Sequence, residues 1–389
     1  MNNFVWLQSP NYALTKSTMP LGYVYNRGNP DIAAFTLRFK FASDVYASSS
    51  DVPPLPADTS RATTKGSWTK VQGVADNLWD YTYENPDWRY LFQSMEANRT
   101  DVTYGEFGDY WSTPCEIVDS GDLTGVLSMN SAFRTITYLT SVNIPSKVSI
   151  TGSIDSAESP FTRLAHLKHV TINYVQGTAL WFFRECSELE TVNIGYFYDP
   201  HTTGTIYSAY MCAYCYALTD FDVNFIKPLQ SLDYMFFHCE ALVHAPVLDT
   251  SAATSMTYMF RFCTSLKDVP AYDMSNSPRT EFMFSDCTSL EYAPAFDTSA
   301  LKSFRAMFME CTSLKRVPLY DTSSALNMNS AFYNCTNVEG GALALYQQAS
   351  SQATPPTTHE YCFGNCGINT VTGAAELSQI PSDWTGSST

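Results

Sequence analysis

Cysteine recurs at a fixed interval of 24 residues through the middle of this chain, at Cys239, Cys263, Cys287, Cys311 and Cys335. An apolar pair precedes each one: Met235-Phe236, Met259-Phe260, Met283-Phe284, Met307-Phe308 and Ala331-Phe332. Three residues after each cysteine stands Leu242, Leu266, Leu290, Leu314 or Val338. A constant period of this length is the mark of a solenoid, in which every unit packs on its neighbours alone. A buried Leu, Met or Phe contributes about 1.5 to 3 kcal/mol only once a neighbour covers it. The array must therefore be long, and its ends must be closed.

Each unit holds two shorter patterns. Met256, Met259, Phe260 and Cys263 stand at i, i+3, i+4 and i+7, the spacing of one helix face, as do Phe304, Met307, Phe308 and Cys311. A short helix is therefore expected to open each unit. A short extended run follows from the leucine and ends at Pro246, Pro270, Pro294 or Pro318, since proline lacks the N–H a strand interior needs. Asp-Thr-Ser or a close variant, at Asp249, Asp273, Asp297 and Asp321, supplies the turn back. The cysteine position continues upstream as Cys215, Cys186, Leu164 and Ile136 and downstream as Cys366, giving nine units and a closing tenth. The expected fold is an α+β solenoid, a short helix plus a short parallel strand per unit of 24 residues, behind a mainly β N-terminal region.

The pattern Ala/Met-Phe-x-x-Cys-x-x-Leu-x-x-Val, the opening Leu139-Thr-Ser-Val-Asn-Ile-Pro145 and the Asp-Thr-Ser turn resemble the BspA-type leucine-rich repeats. The closing runs Gly341–Ser350, Asn365–Gly367 and Thr372–Trp384 are similar to those of phage-encoded members of that family. The family consists mostly of extracellular adhesion or recognition proteins. The resemblance implies a non-enzymatic bacteriophage structural protein, part of a tail fibre or other appendage, located in the virion after assembly in the host cytoplasm. Its implied partners are a host cell-surface glycan or protein, other virion proteins through the N-terminal region, and further copies of itself. The alternatives are a bacterial or eukaryotic BspA-like surface adhesin and a glycan depolymerase.

Charge narrows the partners. With 22 basic against 38 acidic side chains the net charge is -16, which repels nucleic acid and anionic lipid. Met1–Gly22 lacks the basic start and continuous apolar run of a secretory signal, and no window has the apolar length of a membrane span. That fits a virion protein better than an exported adhesin. The expected divisions are a β region at 1–42 carrying the alternation Phe35, Leu37, Phe39 and Phe41, a Ser/Pro-rich linker or loop at 43–66, and an aromatic-rich cap at 67–122. The solenoid at 123–371 and a C-terminal cap at 372–389 follow. Trp68, Trp79, Trp88 and Trp111 in the aromatic region form either a small core or a sugar-stacking site.

Chemistry-bearing motifs are sparse. Eight of the eleven cysteines occupy one repeat position that elsewhere holds Ile136 and Leu164, which points to a buried, reduced ladder rather than disulfides. Cys212-x-x-Cys215 has zinc-ligand spacing but lies on the same apolar stripe without a second pair. The aspartate column either caps its own turns or holds a cation. His166, His169, His201, His238, His244 and His359 accompany no nucleophile motif, and no phosphate-binding glycine loop is present. No cofactor, metal site or catalytic residue is assigned.

Recognition by a surface remains. The residue before each buried Val position should point outward from the sheet, giving the candidate ligand-binding column Ser141, His169, Thr191, Asp220, His244, Asp268, Tyr292 and Arg316. Its chemistry changes at every unit while the Met, Phe, Cys and Leu columns stay nearly constant. Phe237, Phe262 and Tyr333, between the Phe and Cys positions, are candidates for subunit contacts.

Overall fold

The computed structural model describes residues 35–44, 46–50, 53, 66–83, 115–118, 125–128, 138–151, 161–176, 179–199, 204–276 and 279–386. Trp88, Trp111, His201 and Ile136, and most of the 43–66 stretch, lie outside the described residues. Strands β1 (Phe35–Phe41), β2 (Gly66–Lys70) and β3 (Asn77–Tyr83) form an antiparallel group in the order β1-β3-β2. Alternation along β1 explains why it forms. Phe39 and Phe41 face inward onto Trp68, Trp79 and Tyr81, while Arg38 on the opposite side donates to both carboxylate oxygens of Asp80 at 2.7 and 2.8 Å. Trp79 is buried and Trp68 half-buried, so these two rings serve a core.

This group is continuous with the solenoid. β4 (Cys115–Val118) pairs antiparallel with β1 and parallel with β6 (Leu139–Thr151), which also pairs with β5 (Gly125–Ser128). β7 (His169–Gln176), β8 (Thr191–Tyr198) and β10 (Asp220–Phe225) follow as successive parallel neighbours. A second, two-stranded parallel sheet joins β9 (Ile206–Tyr207) to β11 (Leu229–Ser231). Beyond β10 the parallel pairing shrinks to single bridges such as His244↔Asp268 and Arg316↔Gly340. The proline column is the cause. Pro246, Pro270, Pro294 and Pro318 each stand two residues after the bridge position, where the earlier coils carry Thr171, Asn193 and Asp222 with an N–H to give.

The helix expected at the start of each unit does not form. Two non-glycine residues four apart take a left-handed backbone in every such segment: Tyr234 and His238 (φ 57° and 61°), Tyr258 and Phe262 (60° and 65°), Phe282 and Asp286 (58° and 64°). Ala306 with Glu310 and Ser330 with Asn334 repeat the arrangement. The hydrogen bonds show what this achieves. Met235, Phe237 and Cys239 donate to carbonyls three residues back, closing tight turns at 3.1 to 3.2 Å. Tyr234, Phe236 and His238 instead donate to Thr257, Met259 and Arg261 of the next coil at 2.9 to 3.0 Å. Successive tight turns keep Met235, Phe236 and Cys239 on one side, so the side-chain spacing imitates a helix. A helix would have spent these N–H groups internally and left none to join the coils. Left-handed backbone costs about 1 to 2 kcal/mol per non-glycine residue, which coil-to-coil bonding and burial offset.

The core is a ladder of rings. Phe236, Phe260, Phe284, Phe308, Phe332 and Phe363 stack nearly parallel, with centroids 5.4 to 6.0 Å apart. Trp384 closes the ladder against Phe363 at 6.1 Å. It sits on α3 (Ser382–Thr385), behind α1 (Ala342–Ser350) and α2 (Val371–Leu377), which are the α-helices among the described residues. α1 replaces the returning strand of the last full unit and buries Ala342, Leu345 and Ala349. It starts at Gly341, whose φ of 99° and 2.2 Å clearance between an added Cβ and the Val317 carbonyl leave room for glycine alone.

Two substitutions test this architecture by denaturant unfolding. Ser330→Gly relieves a left-handed serine and should raise stability by about 0.5 to 1 kcal/mol, whereas in a helix glycine would lower it. Phe284→Ala removes a central rung and should cost about 3 to 5 kcal/mol.

Candidate functional site

The sheet register brings six of the eight column residues together, in a row of four and a row of two. Ser141 pairs with His169, His169 with Thr191 and Thr191 with Asp220, and a separate bridge joins His244 to Asp268. Buried Val142, Val170, Val192 and Phe221 follow these residues, so alternation along the strand turns the column outward. His169, Asp220, His244, Asp268, Tyr292 and Arg316 are exposed, and Ser141 and Thr191 are half-buried. The Tyr292 ring is 65% exposed. His244 Nδ1 lies 2.8 Å from Asp268 Oδ2, with both side chains more than 70% exposed, and His169 Nδ1 lies 3.1 Å from Thr191 Oγ1. Contacts this open to water add little stability. Most of their hydrogen-bonding capacity faces outward.

The aspartate column has a local job. Asp249 Oδ1 accepts from Ser251 N–H at 3.1 Å and from its hydroxyl at 2.6 Å, and Asp297 accepts in the same way from Ser299 at 3.0 and 2.7 Å. Asp273 and Asp321 accept from the Ser275 and Ser323 N–H at 2.8 Å. The serine hydroxyl, then its N–H, holds Asp273, Asp297 and Asp321 below the usual carboxylate range. The buried threonine between them reaches the next coil: Thr298 Oγ1 donates to the Asp321 carbonyl at 2.9 Å. The capped-turn reading therefore has direct geometric support, with each carboxylate used by its own turn.

All eleven cysteines are buried free thiols. A second feature of the repeat position emerges. Cys263, Cys287 and Cys311 Sγ each donate, at 3.1 Å, to the carbonyl of the Phe in the preceding coil (Phe236, Phe260 and Phe284). Isoleucine or leucine fills the same space without that weak donor. Burial pushes the Cys115 thiol up to about 12 and holds Cys287 and Cys335 well above the ordinary range. Burial holds the Cys212 thiol well above its ordinary range in the same way.

One arrangement escapes the sequence reading. Before four of the inward methionines the left-handed residue carries a ring, and these four, Tyr210, Tyr234, Tyr258 and Phe282, stack with centroids 4.5 to 4.9 Å apart. A second column four residues on stacks Tyr214, His238 and Phe262 at 5.4 and 4.3 Å. Phe237 lies between the two, 9% exposed, against Tyr214, Tyr234 and Phe262. Phe237 is thus an internal wedge rather than a subunit contact, Phe262 is part of a stack with Arg261 4.5 Å over its ring, and Tyr333 packs edge-on against Tyr361. The signal was present as the 24-residue spacing from Tyr210 to Phe282, but a helical reading gives those positions no common contact.

Residues 129–243 match, in six copies, the family described as BspA type leucine-rich repeat region. Residues 221–344 match the family described as Mycoplasma protein of unknown function, DUF285. The changeover falls where continuous strands give way to proline-limited coils. No curated protein matches the chain. The first match supports BspA-type repeats over residues 129–243. No helix among the described residues is long and apolar enough to cross a membrane.

The buried cysteines should resist iodoacetamide in the native protein at pH 8, and all eleven should react after denaturation. Because the folded thiol pKa lies above the unfolded value, the neutral thiols favour the fold below about pH 8.5, and stability should fall as pH rises beyond it.

Proposed function

We propose that this chain, whose residues 129–243 match BspA-type repeats, is a non-enzymatic recognition protein that binds a host cell-surface glycan or protein through its sheet face. The observation that carries the reading is the contrast between columns. Met, Phe, Cys and Leu are held nearly constant to build the coil, while His244, Asp268, Tyr292 and Arg316 occupy equivalent exposed places with four different chemistries. A rigid scaffold presenting varied polar and aromatic groups can form a specific interface without losing conformational freedom on binding. Tyrosine and arginine are also the side chains that most often dominate binding energy.

The finer placement in a bacteriophage tail fibre or other virion appendage draws its support from the resemblance of the closing segment, 341–384, to phage-encoded members of the family. In that setting the N-terminal region would join other virion proteins and further copies of the chain, and the acidic surface would keep it off nucleic acid and anionic lipid. Copurification with virions distinguishes this placement from a cell-borne adhesin.

Changing His244, Asp268, Tyr292 and Arg316 together to Ala should abolish binding to intact cells and extracted surface glycans of a responsive host while leaving the unfolding transition in place. Binding that survives the fourfold change would remove the sheet face as the recognition surface.

A further inference from the structure

The two columns beside the cysteine ladder both step from small to large at one junction. Glu185 is followed in the next coil by Tyr214, and Ser187 by Tyr216. Where later coils continue ring on ring, the stack of Phe262, His238 and Tyr214 ends here, and a hollow of about 360 Å³ opens beside its terminal ring. Arg184, Glu185, Ser187, Tyr214 and Tyr216 line it.

The lining combines aromatic surface with paired hydrogen-bonding groups. Tyr216 stands edge-on to Tyr214 at 6.3 Å and is 42% exposed. The Glu185 carboxylate is held from both sides, by Arg163 Nε at 2.7 Å and by an Arg184 terminal nitrogen at 2.8 Å. Arg184 is itself fixed over the rings of Trp181 and Tyr210, at 5.0 and 5.7 Å. The carboxylate is thus pre-oriented, and each of its oxygens keeps a lone pair for a further donor. The left-handed backbone at Glu185 and Tyr214 and the bond from Glu185 N–H to the Ala213 carbonyl at 2.8 Å fix both residues on the scaffold.

We infer that this hollow is a subsite for a neutral hexopyranose residue of a glycan. Its C–H face would lie on the exposed tyrosine surface, and its hydroxyls would meet Glu185, Arg184 and Ser187. A sugar presents an apolar face and a ring of hydroxyl donors and acceptors, which is the complement of this lining, and the volume lies at the small end of ligand sites. Arg163 and Arg184 both direct a nitrogen at the Glu185 carboxylate, so their charge is engaged there rather than offered to an anionic ligand. The subsite lies off the sheet-face column, so it stands or falls independently of it.

Saturation-transfer NMR on the full chain with methyl glycosides of glucose, galactose and N-acetylglucosamine tests it. At least one should receive saturation. Tyr216→Ala and Glu185→Gln should each weaken binding about tenfold or more, with the unfolding midpoint retained, and the fourfold sheet-face variant should bind as the native protein does. The inference is overturned if no neutral glycoside binds, if only a charged sugar such as a sialoside does, if both hollow variants bind normally, or if the sheet-face variant loses the sugar instead.

Discussion

Backbone N–H groups that skip to the next coil hold this protein together. In each turn segment alternate residues close local three-residue turns, and those between them donate across the gap, as Tyr234, Phe236 and His238 do. That division of labour is possible only because one residue in four has a left-handed backbone, at a cost that tyrosine, phenylalanine, histidine and aspartate bear here in place of glycine. Everything else in the array is registered by this ladder. The stacked phenylalanines, the thiols under the preceding carbonyls and the capped Asp-Thr-Ser turns repeat because the backbone repeats.

Such a scaffold separates the residues that build from those that are shown. The cysteine column is chemically quiet: its thiols are buried, and those such as Cys263 and Cys287 donate to carbonyls of the preceding coil, so they fill space rather than react. The ring columns on the turn side are likewise occupied with one another, ring face against ring face, except where Tyr214 ends its stack. The sheet side has no such internal commitments beyond short contacts such as His244 with Asp268. The sheet side is therefore where the chain leaves most of its varied polar groups open to water.

Much of this was legible in the sequence, and the part that was not has a physical cause. The period, the buried columns, the proline limit on each strand and the outward column follow from which side chains recur and where. The turn segments were misread because Met256, Met259, Phe260 and Cys263 fall inward with the same spacing whether the backbone is a helix or a run of tight turns, and side-chain periodicity does not sense the sign of φ. The aromatic ladder of Tyr210, Tyr234, Tyr258 and Phe282 was missed for the same reason, since those rings meet only when the coils are bonded at that edge. The hollow lined by Tyr214 and Tyr216 depends on the meeting of two coils, which no single repeat encodes.

The direction of the ladder has a mechanical consequence. Its hydrogen bonds lie along the axis of the array, so tension applied between the two ends pulls each bond along its own length and loads the junctions in series. The weakest junction peels first, and the others stay intact until their turn. Each released coil of 24 residues adds extended chain on the order of 80 Å, at about 3.4 Å per residue. A tethered array would lengthen in steps, dissipating load coil by coil while the coils still folded kept their outward faces in place.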